Sequence, residues 1–174
     1  MKIFDLNGTG EWTVRRIQER YATYCSELRL ATTRDLKSYE QTNKDRRWIY
    51  PYLNNVIQGI REGDAACVAL GVDLIESDQR LPFGQKLKSK TARELRRTSL
   101  QAELKERLRK RIVHMLTHGI IPHEFREYYK LLRTIGVAEY WPELHTSVPR
   151  DNRFAMRFYD ALVQNDPAAK LTPP

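Results

Sequence analysis

The chain has 174 residues, of which 41% are hydrophobic, 10% aromatic and 30% charged, with a formal net charge of +8. Aromatics this frequent exclude a disordered-chain composition. The longest apolar run, AACVALGV at 65–72, is far too short to span a bilayer. One helical domain over 1–166 is expected at this length, with 77–85 as a possible sub-boundary and 167–174 as a disordered tail.

The N-terminal MKIFDLNGTGEW has no apolar stretch of signal-peptide type. Cys25 and Cys67 are isolated, without a CxxC pair. Two reduced thiols and a cytoplasmic location are therefore expected.

Residues 11–30 read as a helix. Val14, Ile17, Tyr21, Tyr24 and Leu28 recur at spacings of 3, 4, 3 and 4, which places them on one face. That face suits its own core, or else a homodimer seam. TTRDLKSYEQ (32–41) suggests a short helix capped by Thr32 or Thr33. A helix is expected to start near Pro51 and end at Gly63. Asp64 then suits the N-cap of a helix over 65–76. SDQRLPFGQ (77–85) carries Pro82 and Gly84 and reads as a linker.

Thr91 and Glu94 have capping-box spacing and predict a short helix over 91–97. A long helix over 99–118 presents Leu100, Leu104, Leu108, Ile112, Met115 and Leu116. Gly119 suits its end, and Pro122 opens a helix to 135 that Gly136 closes. Asp151 starts a last helix, about 151–164. No useful period-2 alternation occurs. The predicted fold class is all-α, an irregular bundle of about six to nine helices.

The charge is unevenly placed. Residues 80–111 hold 12 basic and 3 acidic side chains, whereas 1–79 hold 11 and 12 and 112–174 hold 7 and 7. A concentrated surplus creates a local field that recruits a polyanion. The candidate contact residues are Lys86, Lys88, Lys90, Arg93, Arg96 and Arg97, then Arg107, Arg111, His114 and His118. Glu103–Arg107 and Glu106–Lys110 have the spacing of helical ion pairs and would absorb two cations. The expected partner is nucleic acid, with an acidic protein next and a membrane surface excluded by the occupied apolar face.

HMLTHGIIPHE (114–124) holds three of the four histidines. His114 and His118 share a helix face, but Met115 stands where the metalloprotease pattern H-E-x-x-H has its glutamate. Arg107 and Arg111 fall within about 60° of arc of both histidines and oppose a divalent ion. No metal and no cofactor is therefore expected. The cluster reads as a helix C-terminus or as the end of an anion-binding stripe that strengthens below about pH 6.5. THGIIPHEFREYYKLLR (117–133) has the outline of a helix-turn-helix, an outline an ordinary helical hairpin shares.

RRWIYPY (46–52) interleaves arginines with Trp48, Tyr50 and Tyr52. That suits single-strand binding, and equally a proline turn packed by its own aromatics. No Gly-rich phosphate loop, GxSxG or Cys–His–Asn spacing is present. The sequence thus predicts a non-enzymatic helical protein that engages a polyanion through 86–111. A helical protein-interaction module, dimeric through the 14–28 stripe, is the alternative.

Overall fold

The structure is a computed structural model and describes residues 1–170. It is mostly helical: eight α-helices and one small three-stranded sheet lie among the described residues. Contacts divide the chain into two units, Met1–Ser99 and Leu100–Pro174. The 77–85 segment lies inside the first unit.

The first unit begins with strand β1 (Lys2–Asp5), followed by helix α1 (Val14–Glu27), strands β2 (Glu40–Asn43) and β3 (Arg46–Ile49), and helices α2 (Leu53–Arg61), α3 (Ala65–Glu76) and α4 (Gly84–Arg97). Helix α3 is apolar nearly all round and buries nine of its residues, so it forms the centre. Helices α1, α2 and α4 pack on it. Its start is fixed by the side chain of Asp64, which accepts from Cys67 N at 2.9 Å. The same carboxylate accepts from Tyr21 Oη at 2.7 Å. Burial and this acid push the hydroxyl of Tyr21 and the thiol of Cys67 well above their usual values. Gly59 allows α2 to approach α3 closely: a Cβ there would lie 2.3 Å from Cys67 Sγ.

The α1 stripe is largely spent within its own unit. Ile17, Tyr21 and Cys25 are buried, and only Leu28 of the five stripe residues is exposed. The expected helix at 32–41 does not form. Arg34 is held instead by Tyr21, Asn55 and Glu62, and Leu36 accepts from Tyr52 Oη at 2.8 Å. These tertiary ties override a weak local preference. The chain then enters the sheet, which the sequence reading did not contain. Its order is β1-β3-β2, with β1 parallel and β2 antiparallel to β3. Lys44 turns the β2–β3 hairpin with a left-handed φ of 51°.

The second unit comprises α5 (Ala102–Thr117), α6 (Phe125–Ile135), α7 (Trp141–Ser147) and α8 (Arg153–Asn165). Helix α7 was not anticipated; the other three were, within a few residues. Helix α5 packs against α6, α7 and α8. Leu108, Ile112, Phe125, Tyr128, Trp141 and Leu144 are almost wholly buried. The last helix starts from Asn152, not Asp151: the Asn152 side chain accepts from Phe154 N and Ala155 N, each at 3.1 Å. The expected disordered tail opens with an ordered turn, Pro167–Lys170, in which Ala169 is buried. Residues 171–174 lie outside the described residues.

Candidate functional site

Helix α4 is longer than the capping-box spacing suggests. It starts at Gly84, so Thr91 lies in its interior and is fully buried. Leu87, Lys88, Thr91, Ala92, Glu94 and Leu95 face the core. The opposite side carries Lys86, Lys90, Arg93 and Arg97, all exposed. Their spacings of 4, 3 and 4 confine them to about 60° of arc over ~16 Å of helix. Phe83, half exposed at 49%, stands immediately before this stripe. Lys86 Nζ lies 6.0 Å from its ring centroid. Phe83 adopts a left-handed φ of 55°, a conformation that costs a non-glycine residue free energy.

The one acid on α4 is turned inward. Glu94 is 6% exposed and binds Arg61 Nη2 at 3.0 Å and Arg97 Nη1 at 3.4 Å. The Arg61 guanidinium, assisted by Arg97, holds its carboxyl below the usual range. Glu94 therefore meets the outer stripe only at its Arg97 end, and among the described residues Lys86, Lys90 and Arg93 form no ion pair with it.

The remaining candidates on this helix lie elsewhere. Lys88 is 8% exposed, and its ammonium donates to Ser77 O at the end of α3. It acts as an internal tie and stands apart from the outer stripe. Arg96 is half-buried on the shoulder of the helix and already engaged within the protein.

The other four candidates belong to the second unit. Arg107 and Arg111 are half-buried on α5, and neither is free. His114 and His118 are exposed, with ring centroids 4.0 Å apart. His118 Nδ1 sits 2.9 Å from His114 O, within the last turn. Thr117 Oγ1 donates to Val113 O and to His114 O, each at 3.1 Å. These side chains add second bonds to carbonyls of the last turn, where His114 O already accepts from His118 N at 3.1 Å. Among the described residues, no group of three or more His, Cys, Asp or Glu side chains is placed to hold a metal ion.

Arg109 also turns out to be structural. It donates to Ile135 O at 2.7 Å and Gly136 O at 2.9 Å, closing the end of α6. Glu106 meets Arg109 at 3.4 Å and accepts from Tyr140 Oη, which pushes the Tyr140 hydroxyl up to about 12. Seven residues, 118–124, separate α5 from α6. A helix-turn-helix uses three or four, and Glu124, at the start of α6, is buried.

No helix is long and apolar enough to cross a membrane among the described residues. Comparison with known families, curated proteins and solved structures finds no match to this chain.

Proposed function

We propose that this protein binds nucleic acid, contacting phosphates through the outer stripe of α4. The observation that carries this reading is the arrangement of Lys86, Lys90, Arg93 and Arg97: four exposed cations on one edge, with Glu94 buried beneath them. A duplex carries one negative charge per about 1.7 Å of axis, so a ~16 Å basic edge meets several phosphates at once. Neutralising them releases counterions, and that release supplies most sequence-independent affinity. The protein acts by binding, without a catalytic step. Cys25 and Cys67, both free and buried, support a reducing compartment, the cytoplasm.

The test is salt dependence. Four phosphate contacts give a log–log slope near −3.6 on duplex DNA, or roughly a hundredfold loss of affinity between 50 and 200 mM salt. Lys90→Glu with Arg93→Glu should abolish most of the binding and leave the melting temperature nearly unchanged. No binding of the parent protein to single- or double-stranded nucleic acid at the lower salt would overturn the proposal and favour an acidic protein partner.

A further inference from the structure

We infer that one face of the three-stranded sheet is a stacking platform for the unpaired bases of a single-stranded nucleic acid. This rests on the nucleic-acid reading above and narrows its substrate class. The strand register sorts the side chains by chemistry. Lys2 pairs with Arg46 and Phe4 with Trp48, while Asn43 and Gln41 oppose Arg46 and Trp48 from β2. Alternation places these six on one face. The opposite face receives the strand acids Asp5 and Glu40, with Arg47 held by Glu40 at 3.0 Å from its Nε. The strands thus give the first face two cations and no carboxylate.

The aromatic rings of that face form two pairs. Phe4 and Trp48 stack with centroids 5.8 Å apart and planes 13° from parallel. Lys2 Nζ lies 5.0 Å from the Phe4 centroid. Tyr50 follows Trp48 by two positions, donates to Gln41 Oε1 at 3.1 Å, and lies 5.4 Å from the ring of Tyr39. Tyr39 is 66% exposed, and Phe4, Trp48 and Tyr50 are only half-buried. Beside Trp48 lies a cavity of about 310 Å³ lined by Asn43, Lys44, Asp45, Arg46 and Trp48. It offers a ring wall, two cations and an amide, with Asp45 as its one acid.

Every base has a π-face that stacks on such rings, and interspersed cations track the backbone. A duplex hides those π-faces inside its own stack, so it gains little here. A protein partner would have to bury Lys2 in the contact, and interface cores are depleted of lysine. The single strand fits both the rings and the charge.

Trp48 supplies its own probe. Trp12 and Trp141 are 1% and 2% exposed, so contact quenching of tryptophan fluorescence reports Trp48. The probes are a single-stranded oligothymidylate of about 15 nucleotides and a hairpin duplex of similar length. The single strand should quench the emission on binding and the duplex should not. Phe4→Ala with Trp48→Ala should lower single-strand affinity by about tenfold or more and leave duplex affinity within about twofold. Trp48→Phe keeps a ring, so it should retain most single-strand binding while losing the quench. That variant and the parent titration decide the matter if the double variant fails to fold. Single-strand binding without any quench, or undiminished in the folded double variant, would overturn the platform. Should Lys90→Glu with Arg93→Glu still abolish binding in that case, the phosphate reading survives alone. If neither probe binds, both fall.

Discussion

Arg61 on α2 reaches across to Glu94 on α4 at 3.0 Å and holds the only carboxylate of a helix otherwise edged with cations. A second arginine–glutamate contact, between Arg34 and Glu62, ties the loop before β2 to the end of α2. The bond from Arg34, then that from Gln58, lowers the Glu62 carboxyl to about 2.

Both carboxyls have folded-state pKa values below their usual ones. The stability they contribute is present above the ordinary glutamate value of about 4.3 and disappears as pH falls through the lowered ones. Glu62→Gln with Glu94→Gln should therefore be less stable than the parent at pH 6, and the gap should narrow steadily as the pH falls toward 2. Urea midpoints across that range are the measurement. An offset that persists unchanged at the acid end would mean that neither charge contributes.

Lys88 and Lys90 should behave in opposite ways although they are two residues apart. Lys88→Ala removes a buried charged donor from Ser77 O and should cost about 2 kcal/mol. Lys90→Ala should change stability by less than about 0.5 kcal/mol and reduce the salt slope of nucleic-acid binding by about 0.9. Chemical denaturation and a salt titration on each variant separate the two roles.

Arg109→Ala should destabilise the protein by about 2 kcal/mol, because two carbonyls at the end of α6 lose a charged donor. Arg109→Lys should recover only part of this, since an ammonium cannot span both oxygens as the planar fork does. Amide hydrogen exchange near Gly136 should quicken in both variants, most in the alanine one. Unchanged exchange there would remove Arg109 from its capping role.

Gly59→Ala tests the α2–α3 contact. Alanine gains about 1 kcal/mol of helix propensity over glycine. The new methyl would lie 2.3 Å from Cys67 Sγ and 2.9 Å from its Cβ, and overpacking of that kind costs about 1–3 kcal/mol. The clash should win, giving a net loss. Cys67→Ala in the same chain should restore part of it, a coupling that a double-mutant cycle reads directly.

Helices with a clear stripe and a local cap were legible in the sequence. Asp64 before α3 and Gly136 after α6 are in place, and the α5 core residues Leu108 and Ile112 are fully buried. The sheet was not legible. Its strands have four residues each, β3 reads Arg-Arg-Trp-Ile, and its hairpin turns on Lys44 where a glycine or asparagine would have signalled it. The start of α4 was missed because Lys88, Thr91 and Glu94 are polar residues at buried positions, which disguises the period of the helix. Charge counting found the basic segment but could not sort it. Lys88 and Arg109 look like Lys90 in a sequence and differ only through the carbonyls that three-dimensional structure brings near them.

The parallel pairing of β1 with β3 joins Lys2 to Arg46, and the Trp12–Ser77 bond joins residues 65 apart. Contacts that distant close slowly, because chain entropy is lost before any strand hydrogen bond forms. Helix α5 with α6 needs only a short connection. Refolding from urea should consequently recover the contacts of the second unit first, with the sheet ordering last. The surface on which bases are proposed to stack would then be the final part of the chain to mature.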